Sequence, residues 1–253
     1  MDQKEPSFES EWRARFDRFA ARGGSEATIS GWSEHGLQRR LEVIRGILDD
    51  YPAPPAARLV DLGCGTGVYC VEMAARGYRP VGADFSVGML RRARSIAPEL
   101  FFCAADLNRL PFADASFDGL VTIGVLQHLA TVDQALAEMA RVLRPGATAA
   151  IITLNRWSCH ALAAALIAWP RAWLRGRLRP KKHAVRRGPG ALAALAAARG
   201  FELAEIRGVW LFPRFLRFME RLLAGLEGLR LPGARRPLLL PAANAFALVL
   251  RRR

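Results

Sequence analysis

The run Val60-Asp61-Leu62-Gly63-Cys64-Gly65-Thr66-Gly67 constrains this chain more than any other feature. A short apolar strand, interrupted by one acid, runs straight into three glycines at alternate positions. Glycine at those places permits a tight turn and lets the backbone approach a ligand closely. The G-x-G-x-x-G dinucleotide fingerprint does not fit. Counted from Gly63 its last place is Val68, and counted from Gly65 it is Cys70. A P-loop fails as well, because no Gly-Lys-Ser/Thr follows.

The rest of the chain alternates in period around this turn. Trp12, Phe16 and Phe19 recur at helical spacing and predict a helix over 9–21, broken by Gly23 and Gly24. Leu37, Leu41, Ile44 and Leu48 predict a second over 34–49. Strands are expected at 58–63, 79–84, 100–104, 117–123 and 147–154, with helices at 67–76, 86–96 and 131–142 between them. Ser86 is the expected N-cap of its helix, and Arg144-Pro145-Gly146 the stop after the 131–142 helix. The beat lapses at Asn155 and returns with a helix at 189–199, a strand at 201–211 and a last strand near 244–250. Strands alternating with helices imply a parallel α/β sheet covered on both faces.

These landmarks resemble the class I S-adenosylmethionine-dependent methyltransferases. Asp61-Leu62-Gly63-Cys64-Gly65-Thr66-Gly67 is similar to that family's first motif, and the others follow in its order. They are Gly82-Ala83-Asp84-Phe85-Ser86, Ala105-Asp106-Leu107, Ser116-Phe117-Asp118, Ile123-Gly124-Val125-Leu126-Gln127-His128-Leu129 and Leu143-Arg144-Pro145-Gly146. The likeness is to the branch that includes ubiquinone-biosynthesis and other small-molecule enzymes. It covers residues 56–155 strongly and 190–253 more loosely.

The resemblance implies a Rossmann-like doubly wound sheet of about seven strands with the last one antiparallel. With the lapse of the pattern at 156–188 and its basic, apolar composition, the chain divides into an N-terminal helical lid (1–50), as in the resembling enzymes, a cofactor-binding core (51–155), an inserted basic, apolar cap (156–188) and a C-terminal completion of the sheet (189–253) with a cap helix at 213–230. The resemblance also implies S-adenosylmethionine as cofactor, with S-adenosylhomocysteine as product. Carried over by position, the cofactor residues are Asp61, Gly63, Cys64, Gly65, Gly67, Asp84, Phe85, Met89, Asp106, Leu107, Ile123 and Gly124. Asp84 would accept from the ribose hydroxyls, and Asp106 would sit near the adenine amino group. Asp84 also suits a helix N-terminus, a role compatible with the first. Asp118 reads as structural.

Methyl transfer needs an acceptor held in line, and a hydroxyl acceptor must also lose a proton. His128, just past the fourth strand, is the candidate general base; a pocket-lining or capping histidine is the alternative reading. Trp32, His35 and Asn155 are the other candidate pocket residues. No His and Cys cluster has metal-ligand spacing, so no metal is expected.

Charge divides the chain. Residues 1–150 carry 17 Lys and Arg against 19 Asp and Glu, and residues 151–253 carry 20 against 4. The tryptophan-rich, basic stretch at 157–187 has the composition of an interfacial segment. Three readings stay open for it: a cap with a solvated outer face, contact with an anionic membrane surface, or contact with a nucleic acid. No signal-type apolar run and no disulfide pattern appear, which points to a cytoplasmic protein, peripheral on the inner membrane face if the second reading holds. The expected activity is methylation of a small, hydrophobic or lipid-like acceptor, with oxygen favoured. The rivals are an RNA methyltransferase and a non-catalytic cofactor-binding partner protein.

Overall fold

A computed structural model describes residues 8–22, 24–29, 32–156, 158, 185–209 and 243–253. The N-terminal segment forms α1 (Phe8–Arg22), the single-turn α2 (Glu26–Ile29) and α3 (Glu34–Asp50). Four residues are too few to show a period, so α2 leaves no trace in the hydrophobic pattern. Ser33 caps α3 by accepting from the Gly36 amide.

The alternating core follows: β1 (Arg58–Leu62), α4 (Val68–Ala75), β2 (Arg79–Asp84), α5 (Val87–Ile96), β3 (Phe101–Ala104), β4 (Phe117–Ile123), α6 (Asp133–Val142) and β5 (Leu143–Leu154). A 3-10 turn (Leu126–His128) lies between β4 and α6. Then come α7 (Pro189–Ala198), β6 (Phe201–Val209) and β7 (Ala245–Arg252). The proposed cap insertion, apart from its edges, and the 213–230 helix lie outside the described residues.

The seven strands order as β3-β2-β1-β4-β5-β7-β6. The first five are parallel, and β7 runs antiparallel between β5 and β6. This is the doubly wound sheet with a reversed last strand that the sequence implied. One boundary differs by more than two residues. The expected stop at Arg144-Pro145-Gly146 lies inside β5, because Leu143 already pairs with Phe117 across a register shift. Such an irregularity is where a strand tolerates Pro and Gly.

Alternation along the strands builds two cores. Val60, Leu62, Leu120 and Ile151 face α6 and α7, while Leu59, Val121, Ile123 and Ile152 face α3, α4 and α5. Asp61, buried, shares the parity of Leu59 and so lies on the α3–α4 side.

At Gly63 (φ +77°) an added Cβ would meet Val125 Cγ2 at 2.2 Å, whereas at Gly77 (φ +81°) it would meet nothing within 4 Å. Gly77→Ala should therefore cost only left-handed strain, about 1–2 kcal/mol. Gly63→Ala should cost about 2–4 kcal/mol, overpacking being added to strain. Denaturant melts of the two variants check the difference.

Candidate active site

The parallel strands β1, β2 and β4 end on one edge of the sheet, and the glycine turn leaves β1 there. Gly63, Gly65 and Gly67 all take left-handed φ, at +77°, +54° and +84°. The turn is fastened to the next strand: the Gly63 and Cys64 amides donate to Ala83 O at 2.7 and 3.1 Å. Asp84, at the tip of β2, completes the attachment. Its Oδ2 accepts from the Gly65 amide and its Oδ1 from the Ser86 amide, each at 2.8 Å. Ser86 in turn caps α5. Burial pushes the Asp84 carboxyl up to about 6, against the opposing effect of the amides that donate to it.

These elements border a cavity of about 340 Å³. Gly63, Cys64 and Gly65 from the turn, Asp84, Phe85 and Met89 from the β2–α5 junction, Asp106 and Leu107 after β3, and Ile123 and Gly124 from β4 all line it. Trp32 and His128 line it too. Trp32 leans on Gly124, where a Cβ would meet the indole at 2.8 Å. Asp106 is exposed, and its Oδ1 accepts from the amide and side chain of Asn108.

Four of the expected site residues lie outside this wall. Gly67 packs against Phe102, with 2.9 Å between that ring and an added Cβ. Asp61 sits behind the turn, where Cys70 Sγ donates to its Oδ2 at 3.8 Å and Oδ1 has no partner. Burial, reinforced by the nearby Asp84 charge, pushes its carboxyl up to about 8, so it is mainly protonated at neutral pH. Asn155 is buried at the end of β5, donating to Ala243 O at 3.0 Å. His35 is half-buried in the first turn of α3. His160 and His183 lie outside the described residues.

The structure also brings in residues that periodicity assigned to packing alone. α1 packs against α5 and the 3-10 turn and sets Trp12, Arg13 and Phe16 into the wall. The His128 ring lies against both Trp12 (centroids 3.9 Å apart) and Phe16 (5.3 Å), and these two rings also meet each other at 5.6 Å. Burial, then the charge of Arg15, lowers His128 to about 4, so the ring is neutral at pH 7 and its Nδ1 is buried without a partner. Tyr69 lines the wall with an equally unpartnered buried hydroxyl. Arg40, buried on α3, stacks over Trp32 at 4.3 Å and donates to Gly36 O at 2.8 Å. Nothing in the hydrophobic period marks Arg40; its signal is an arginine on the apolar face beside Leu37, Leu41 and Ile44.

Residues 60–151 match the family described as a methyltransferase domain. This stretch of the core is thus similar to methyltransferase domains. The demethylmenaquinone methyltransferase of Beutenbergia cavernae is 41% identical over 102 residues, which are 40% of this chain and 42% of that protein. The chain thus spans less than half the length of that relative. Among solved structures, an S-adenosylmethionine-dependent methyltransferase from Mesorhizobium loti superposes with a TM-score of 0.60 at 20% identity, over 85% of this chain and 98% of that one. A 4+2 cyclase, SpnF, gives 0.66 at 19%, over 98% and 96%. At these identities the likeness is one of fold, and the cyclase shows that the fold carries more than one chemistry.

The cofactor of the methyltransferase family is S-adenosylmethionine, and this wall suits it. It offers a left-handed glycine turn in the wall, a buried carboxylate at a strand tip for a diol, aromatic and aliphatic faces for a nucleobase, and two orphaned polar atoms. The residues placed to hold the group are Gly63, Gly65, Asp84, Phe85, Met89 and Asp106. No cluster of three or more metal-binding side chains occurs among the described residues.

Two pH effects follow. A diol donating to Asp84 favours its charged form, so affinity for S-adenosylhomocysteine should weaken as pH falls through about 6, and Asp84→Asn should lose that dependence; calorimetry at pH 5 to 8 measures both. Asp61 has a folded pKa near 8, above the unfolded value. The folded state therefore holds the extra proton, and stability falls as pH rises from about 4 through 8. Asp61→Asn should flatten that decline in thermal melts.

Proposed function

We propose that this chain transfers a methyl group from S-adenosylmethionine to a small, flat, hydrophobic acceptor of quinone-like or hydroxylated aromatic chemistry, on oxygen. One observation carries the reading: a single cavity is bounded both by the glycine turn with Asp84 and by Trp12, Phe16 and His128. Aromatic faces hold a flat apolar ring well, which supports this reading. The relative's name, demethylmenaquinone methyltransferase, supports a quinone-like acceptor.

When bound, the cofactor supplies an activated methyl group on a sulfonium centre. The protein's part is alignment. Trp12 and Phe16 fix the plane in which a ring can lie beside His128, and close placement accounts for much of the rate in such displacements. The imidazole is neutral, and in the tautomer that carries its proton on Nε2 the unpartnered Nδ1 would take the proton of the acceptor hydroxyl; Gln127 Nε2, 3.4 Å from the His128 Nε2, is the neighbour that bears on that choice. A ring so weakly basic draws on the acidity of a phenolic hydroxyl rather than on its own strength. α1 lays Trp12 and Phe16 along one wall of the cavity. A greasy acceptor resides in a bilayer, and the basic stretch 157–187 would bring the enzyme to an anionic leaflet. No helix among the described residues is long and apolar enough to cross a membrane.

The test is transfer of labelled methyl to a hydroxylated naphthalene bearing a short prenyl tail, supplied in anionic liposomes and, in parallel, in neutral micelles. We expect O-methylated product, faster on the liposomes. In Trp12→Ala the acceptor KM should rise about tenfold with affinity for S-adenosylhomocysteine little changed. Tight S-adenosylhomocysteine binding with no label on any hydrophobic ring would overturn the proposal in favour of a non-catalytic binding protein.

A further inference from the structure

The turn that carries His128 does little to hold itself. Within it, the His128 amide donates to Val125 O at 2.8 Å, and the Leu129 amide reaches Leu126 O only at 3.4 Å. The carbonyls at the end of so short a turn have no helical partner of their own. They are met from a distant part of the chain. Arg187 Nη1 donates to Leu126 O at 2.8 Å, and its Nη2 donates to Leu129 O and Ala130 O, both at 3.0 Å. Two residues earlier, the Val185 amide donates to Gln127 O at 2.7 Å. The backbone of Arg187 is fixed in its turn by a bridge to Asn155 at the end of β5 and by the Arg156 amide, which donates to Arg187 O at 3.2 Å.

Arg187 is half-buried, and among the described residues it pairs with no carboxylate. Burial moves its pKa down, yet a guanidinium stays charged. Among the described residues, its three side-chain hydrogen bonds go to the carbonyls flanking His128. A planar fork holds donors apart in a fixed geometry that spans several oxygens, whereas a lysine offers its three donors from one nitrogen.

We infer that Arg187 is a positioning residue for the methyl acceptor: by gathering the carbonyls of Leu126, Leu129 and Ala130 it sets the depth at which His128 stands in the cavity against Trp12 and Phe16. This rests on the acceptor-side role given to His128 above. It also ties the end of the basic stretch to the reaction site through described residues alone, since 185–187 is where that stretch rejoins the sheet. The charged group that bears on the imidazole from α1 is Arg15; Arg187 acts on the ring's backbone rather than on the ring.

The test reads His128 directly and needs no acceptor. In protein labelled at histidine, the imidazole protons of His128 are identified by their loss in His128→Gln. Stacking against Trp12 should give them ring-current-shifted resonances, with a midpoint near 4. In Arg187→Ala the ring-current shift should shrink and the midpoint rise by about one pH unit or more, toward the ordinary histidine value. Arg187→Lys should fall between the two. Affinity for S-adenosylhomocysteine should stay within about twofold, and kcat with the naphthalene acceptor should fall about tenfold. Wild-type resonances and midpoint in Arg187→Ala would overturn the inference. If that variant does not fold, wild-type behaviour of Arg187→Lys does the same. Methyl transfer by the wild-type protein decides the functional reading separately, so the two claims fail by different measurements.

Discussion

The site depends first on one carboxylate. Asp84 takes an amide from the glycine turn on one oxygen and the amide at the start of α5 on the other, so a single side chain locks β1's exit to β2's exit. A turn of three left-handed glycines has much freedom to lose, and this bond selects one conformation of it. Each carboxylate oxygen keeps a further lone pair, and the carboxylate stays in the wall where a ligand can reach it. The binding duty proposed for Asp84 would therefore fall on the same atoms as its structural one.

Around it the protein tolerates features a stable core avoids. Asp61 Oδ1, Tyr69 Oη and His128 Nδ1 are buried without partners, clustered at or behind one cavity. Each orphaned group costs on the order of 1–3 kcal/mol. The two cores on either side of the sheet are apolar and continuous, and they carry that load. The family match at 60–151 covers the part of the chain that contains most of this arrangement, while α1 and the 185–187 segment come from outside it. The cofactor reading thus rests on the matched region, and the proposed acceptor reading rests on segments beyond it.

Much of the fold was legible because two periods, 2 and 3.6, seldom compete here. The strand at 117–123 and the N-cap at Ser86 stand where the pattern put them. The site was legible to the extent that a residue's local sequence decides which way it faces. Gly63, Gly65 and Asp84 do so through the turn and the strand tip. Asp61 and Gly67 do not: the strand's alternation turns Asp61 toward α4, and Gly67 is needed for close packing on Phe102. Trp12 and Phe16 show the opposite limit. An aromatic face looks the same in sequence whether it meets a core or a cavity, and only the crossing of α1 over the 3-10 turn tells them apart. Arg187 lies nearly sixty residues from the carbonyls it gathers, and no local pattern reports such a partner.

The strand order carries a consequence for how the molecule assembles. β7 inserts between β5 and β6, pairing with β5 over Thr148–Leu154. Nearly a hundred residues separate these partners, so the central edge of the sheet stays open until the last strand arrives. Closing such long-range pairings is slow, and an open apolar edge in the meantime is a template for any passing strand. The parallel half that holds the cofactor residues can form early, but its protection from self-association during synthesis comes last.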